Sequence, residues 1–224
     1  MRAAALLCLL PSLWACSGLP EVREVTPEDR PALAAGCRVP YPQGAWTVVH
    51  SIQVRLPGGG RSTLVGVSAS IPLEDRLESV LLSPEGIVLF EASRQAGEIK
   101  VARALPPLDR DGFAQGLFSD VRFLFFPPAG ELVLVGRTVS GGAVCRYQWG
   151  NRTEDLLPTP AGGWIRREYA DNTLRRQVTS DQPNASGFAS SLELIVYGLG
   201  NYRMSFHRLT KPESGPDSEP EPAL

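Results

Sequence analysis

The chain has 224 residues, with 22 basic and 24 acidic side chains and a formal net charge of −2. A balance this close to neutral, with no basic stripe, argues against a partner held through nucleic-acid phosphates. With 4 cysteines, 2 histidines, no C-x-x-C and no Cys/His cluster, a structural zinc site is not expected, and no cofactor is expected either.

The N-terminus comes first. Met1-Arg2 is followed by an apolar run from Ala3 to Trp14, too short to span a bilayer, which takes about 20 residues. One basic residue, a short apolar core and small residues read as a secretory signal. Leu13-Trp14-Ala15 before Cys16 resembles the bacterial lipobox, in which an aliphatic residue and a small residue precede the cysteine. The Cys16 thiolate would take the diacylglycerol group, and a small residue suits the peptidase at the scissile bond. Trp14 is bulkier than usual at its position, and the alternative is an ordinary signal peptide with an incidental cysteine. Residues 1–15 are thus expected to be a lipoprotein signal peptide, with Cys16 the first, lipid-bearing residue of the mature chain. Several acyl chains give stable anchoring where one gives only marginal binding. Ser17 follows Cys16 where an aspartate would signal inner-membrane retention. By resemblance to the proteobacterial sorting rule, this favours the periplasmic face of the outer membrane. Residues 16–42, rich in proline (Pro20, Pro27, Pro31, Pro40, Pro42) and charge, read as a tether. In an oxidising compartment Cys37 and Cys145 can form a disulfide joining that tether to the domain; two unpaired thiols are the alternative.

From Trp46 the pattern becomes period-two. Trp46, Val48, His50, Ile52 and Val54 fall on one face of a strand, and Pro57-Gly58-Gly59-Gly60 forms a turn. In the next segment Val65, Val67 and Ile71 share a face, and the pair reads as a hairpin with one apolar side. Further strands are expected at Leu77–Leu82, Gly86–Ala92, Gly97–Arg103, Glu131–Val139, Ala143–Trp149, Trp164–Ala170, Thr173–Thr179, Ala189–Tyr197 and Tyr202–Leu209. Gly141-Gly142 and Asp171-Asn172 suit antiparallel hairpins. One segment differs: Phe113, Leu117, Val121 and Leu124 recur at helical spacing, with Phe118 and Phe125 beside them and Pro127-Pro128 as the stop. This predicts a helix over Gly112–Phe125. The tail 210–224, rich in proline and acid, is expected to be disordered.

Catalytic signals are sparse. His50 lies on an apolar strand face and reads as an interior histidine, and His207 as a solvated strand residue. Asp109-Arg110-Asp111-Gly112 lacks the third oxygen ligand of a calcium loop and reads as the turn before the helix. Arg166, Arg167, Arg175 and Arg176 read as a charged exposed hairpin balanced by Glu168 and Asp171, the alternative being contact with anionic lipid headgroups. No enzyme is expected.

Three stretches in this order after a lipobox carry a resemblance: "VLLSPEGIVLFEA", "LPPLDRDGFAQGLFSDVRFLFFPP" and "SLELIVYGLGNYRMSFHRL". Together with the strand count they extend the pattern over about residues 46–209, and it resembles bacterial lipoproteins related to the LolA and LolB carriers. The resemblance implies a mainly β domain over residues 43–209, a strongly curved antiparallel sheet or unclosed β-barrel with a helical lid. It implies a carrier or acceptor of a lipid, acyl chain or other hydrophobic ligand in envelope biogenesis. The ligand space would be lined by Trp46, Val48, His50, Ile52, Val54, Val65, Val67 and Ile71 under Phe118, Val121 and Phe125. LolB-like acceptors carry a membrane-entering leucine on a loop between the third and fourth strands. Here the corresponding turn, Ser83-Pro84-Glu85-Gly86, is short and polar; Leu56 could substitute from another turn. The expected partners are a lipid or acylated ligand, the membrane through the anchor, and an envelope protein. The alternative function is a non-catalytic lipoprotein subunit of an envelope assembly with a filled core.

Overall fold

A computed structural model describes residues 18–38, 41–198 and 200–209. The expected signal peptide, Cys16 and the acidic tail lie outside the described residues. The strands are β1 (Val22–Glu24), β2 (Trp46–Arg55), β3 (Arg61–Ile71), β4 (Arg76–Leu82), β5 (Val88–Gln95), β6 (Glu98–Ala104) and β7 (Glu131–Thr138). They continue as β8 (Ala143–Trp149), β9 (Arg152–Pro158), β10 (Trp164–Ala170), β11 (Thr173–Ser180), β12 (Ser191–Val196) and β13 (Tyr202–Arg208). All belong to one antiparallel sheet in the order β1-β7-β8-β9-β10-β11-β12-β13-β2-β3-β4-β5-β6. The sheet does not close: β1 and β6 are its two edges. It is mainly β, as the alternation predicts, and unclosed, as the resemblance implies.

Two helices accompany the sheet, α1 (Arg30–Gly36) and α2 (Phe113–Phe125). The apolar face of α2 packs into a single core with the inward residues of the sheet, among them Val48, Ile52, Leu81, Phe90, Leu156, Val178, Leu194 and Phe206. An antiparallel sheet with one apolar face needs such a cover. Phe113 meets Phe90 edge-on at 4.9 Å between centroids, fixing the start of the helix to β5. Gly112 precedes the helix with φ 80°, a left-handed conformation that glycine adopts without strain. At the other end Phe126 is already extended, as expected of a residue before proline.

Two sequence expectations are corrected here. Residues 18–38 do not form a free tether: β1 pairs with the edge of β7, and Leu33 and Ala34 of α1 pack with Cys37, Val135 and Cys145. Cys37 and Cys145 are joined as a disulfide with Cα atoms 6.1 Å apart, and Tyr41 is buried in the main core. A leucine-alanine helix turn and a bonded cysteine suffice to dock a proline-rich stretch that shows no strand periodicity.

The second correction concerns β3. Its register sets Ile52 opposite Leu64, His50 opposite Gly66 and Val48 opposite Ser68, whereas Val67 lies opposite Val49 and Val65 opposite Ser51. Directly paired residues share a face, so Val65, Val67 and Ile71 lie on the convex side. The intervening loop, residues 56–60, carries an odd number of residues between the Arg55↔Arg61 pair, which keeps odd positions opposite odd positions. The more apolar alternation of β3 thus faces outward, and its inner face is small. A Cβ on Gly66 would stand 2.5 Å from Ile52 Cδ1, so glycine leaves the room that Ile52 occupies.

Candidate functional site

The concave side has an aromatic end and an ionic end, both built around α2. At the aromatic end Trp46, first residue of β2, packs on Phe125 at 5.7 Å, Phe126 at 5.9 Å and Phe188 at 5.7 Å. His50, two residues further along the same face, stacks on Phe125 at 5.4 Å. Beside Trp46 a cleft of ≈ 580 Å³ opens, lined by Tyr41, Gln43, Trp46 and the loop Ala185–Phe188. Its size falls among small-molecule sites, and it adjoins the core through Trp46 and Phe125.

Three polar atoms buried near this end have no partner among the described residues: Tyr41 Oη, His50 Nε2 and Trp164 Nε1. Burial, helped by the Arg208 and His207 charges, lowers the His50 pKa to about 4. Burial thus favours the neutral imidazole at neutral pH; the ring stacks on Phe125 and meets Phe206 edge-on. Burial pushes the Tyr41 phenol up to about 12.

At the ionic end the helix is held by arginines from β10 and β11. Arg166 donates from Nη1 to the carbonyls of Phe123 at 3.0 Å and Phe126 at 2.6 Å. These are carbonyls that the end of a helix leaves unsatisfied. Its Nε donates to Glu154 at 2.6 Å, both side chains being buried. Arg176 donates to Ser119 O at 3.1 Å, Asp120 Oδ1 at 3.1 Å and Glu168 Oε2 at 2.8 Å. Tyr202 on β13 donates its hydroxyl to the other oxygen of Asp120. Phe123 lies between the two guanidinium groups, at 4.6 Å from Arg166 and 4.2 Å from Arg176.

Burial raises the pKa of Asp120, against the lowering by Tyr202 and Arg176. Burial likewise raises Glu154, against the lowering by Arg166. The Tyr202 hydroxyl is pushed up by burial and by Asp120, so it remains a donor. The reading of Arg166 and Arg176 as part of an exposed hairpin fails: Arg166 is 3% exposed. The alternation Trp164, Arg166, Glu168 could have shown that these charges share the inner face with a buried tryptophan. β9 gave no such signal because Glu154 and Asp155 are adjacent, yet both are buried. Glu154 meets Arg166 on the inner side; Asp155 binds Arg146 at 2.7 Å on the outer side.

Of the residues expected to line a ligand space, Trp46, Val48, His50, Ile52, Val54, Phe118, Val121 and Phe125 converge on the concave core. Val65, Val67 and Ile71 do not. Phe118 and Val121 are fully packed, so α2 itself fills the space beneath it. Leu56 stands 54% exposed in the β2–β3 turn, and Ile87 is 58% exposed beside Ser83-Pro84-Glu85-Gly86.

No family model matches the chain, and no curated protein matches it. Among solved structures it is similar to a LolA superfamily protein, NE2245, from Nitrosomonas europaea. That match has a TM-score of 0.40 and 9% sequence identity, and covers 81% of this chain and 91% of the other.

Proposed function

We propose that the protein binds a lipid, acyl chain or other hydrophobic ligand between its bent sheet and α2, as a carrier or acceptor in envelope biogenesis. The observation that carries this reading is the aromatic cleft beside Trp46, which adjoins a core covered by one 13-residue helix. A ligand chain enters past Phe188 and Trp46 and takes the place of Phe125, Phe118 and Val121 as α2 swings away. The helix is suited to this. Gly112 precedes it and Pro127-Pro128 follow it, so the chain can turn at both of its ends. In the same reading the chain is a bacterial lipoprotein, anchored through Cys16 on the periplasmic face of the outer membrane. It acts without catalysis or cofactor.

Titration with a fluorescent fatty-acid probe tests the reading. Saturable uptake, reduced by Trp46→Ala, is the expected result; no uptake by the unmodified protein would refute it. One observation favours a second reading, a non-catalytic interaction subunit of an envelope assembly. Phe118 and Phe123 are each only 1% exposed, so the core is filled as it stands. In that case purified protein carries no lipid and takes up no probe.

A further inference from the structure

We propose that the turn-bearing end of the sheet nearest Gly18 is a membrane-contact surface, and that the cleft bounded by Arg152, Arg175 and Arg176 seats the phosphate of an anionic lipid headgroup. This rests on the anchor at Cys16 from that reading, and not on ligand carriage. The register brings one set of loops together. The turns after Arg55, Leu82, Trp149 and Ala170, and the connection after Val196, close hairpins at a single end. Leu56, Ile87, Leu105, Leu132, Val133 and Tyr197 are all exposed there. Scattered exposed apolar side chains need no explanation; what these six share is one end of the sheet.

The charges agree. Arg203 of β13, Arg55 of β2 and Arg61 of β3 are direct neighbours across three strands at this end. Like charges set directly opposite destabilise a sheet, unless an anion lies over them. Glu193 approaches only Arg203, at 3.6 Å. The cleft, ≈ 450 Å³, is a separate feature of the same end, bounded by Arg152, Arg175 and Arg176 with Gly116, Ser119, Asp120 and Glu168 of its walls.

Its carboxylate oxygens are already occupied. Glu168 accepts from Arg152 and Arg176, and Asp120 accepts from Arg176 and Tyr202. Its donors are not. Arg176 Nε is buried without a partner, and Arg175 has no ion pair among the described residues. Arginine forks facing saturated carboxylates suit a phosphate oxyanion. Gly116, with open space where its side chain would be, lets the ligand approach α2 closely. The opposite end also exposes Leu73, Val139 and Leu209, but there Arg76 is paired with Glu74 and Glu78. What singles out the membrane as the source of the phosphate is the course of the chain. Gly18 bridges to Thr173, two residues from Arg175, so the N-terminus enters at this same end.

The test is cosedimentation of the full chain carrying Cys16→Ala, so that no acyl anchor contributes. Phosphatidylcholine vesicles with and without phosphatidylglycerol serve as probes, and inorganic phosphate as competitor. Expected is binding to the anionic vesicles alone, weakened by salt and by about fivefold for each of Arg55→Gln, Arg61→Gln and Arg175→Gln. These side chains are exposed, and Arg55 and Arg61 repel each other, so a melting temperature that holds or rises accompanies each loss. Equal partition onto neutral vesicles, or indifference to all three substitutions, overturns the proposal. Inorganic phosphate bound by a protein that ignores both vesicles would overturn the membrane assignment as well. Uptake of the fatty-acid probe is measured without vesicles, so the carrier reading stands or falls separately.

Discussion

His50 shows how one side chain couples the core to pH. Its folded pKa, about 4, lies below the ordinary histidine value of 6.5, so between those values the unfolded chain binds the proton and the folded chain does not. Stability contributed by the neutral ring is present above pH 6.5 and is lost as pH falls toward 4, by about 2–3 kcal/mol. Asp120 and Glu154, with raised folded values, act in the opposite sense: their burial costs stability as pH rises through their titration. The comparison of unmodified protein with His50→Phe isolates the histidine. Chemical denaturation at a series of pH values should show the variant losing less stability on acidification. A parallel pair of curves would mean that His50 does not titrate as its burial demands.

Two further residues test the register of β3. Gly66→Ala forces Ile52 from its place and is expected to cost about 1–2 kcal/mol. Val67→Phe projects from the convex face and should change stability by no more than about 0.5 kcal/mol. A large loss for Val67→Phe in thermal melts, with Gly66→Ala tolerated, would put the faces of β3 the other way round.

At the scale of elements, α2 joins the sheet through two kinds of contact. Its phenylalanines supply apolar burial, and Arg166 and Arg176 supply directed hydrogen bonds. A buried ion pair adds little against an apolar replacement, but breaking one side leaves a stranded charge. Arg166→Met should therefore cost about 3–5 kcal/mol, and the double change Arg166→Met with Glu154→Leu should recover much of it. Equal losses in the single and double variants, measured by denaturant unfolding, would show that Glu154 is not the stranded partner. α1 depends on a different device. Cys37 and Cys145 lie 108 residues apart in sequence, a loop whose closure contributes about 4–5 kcal/mol in the chain-entropy model. Reduction should lower the melting temperature and release residues 18–38 to proteases, while an unchanged melt would contradict the docking of that segment.

For the whole molecule, most of the sheet was legible because one of its faces is wet. Alternation in β2 and the paired positive φ of Asp171 and Asn172 (49° and 61°) both leave local traces. So does α2, with its aromatic repeat and proline stop. β9 was not legible, since burial on both faces by ion pairs erases period-two contrast. β1 and α1 were not legible either, because their docking rests on an edge pairing and a covalent bond instead of pattern. The inward side of β3 departs from the expectation because its run of valines suggests one face while the parity of a five-residue loop sets the other. The aromatic half of the candidate site could be read from residues sharing a strand face, and so could the inward placement of Arg166; its partner Glu154 could not, since β9 shows no alternation, nor could Asp120, which comes from α2.

The central claim is that α2 is a displaceable cover over a ligand space. Amide hydrogen exchange across Phe113–Phe125, with and without saturating fatty-acid probe, tests it most directly. On this account the probe lowers protection along the helix while β2, β12 and β13 keep theirs, because the acyl chain takes the place of Phe118, Val121 and Phe125. Helix amides equally or better protected in the bound protein would contradict it, and would leave a filled core with α2 as a permanent part.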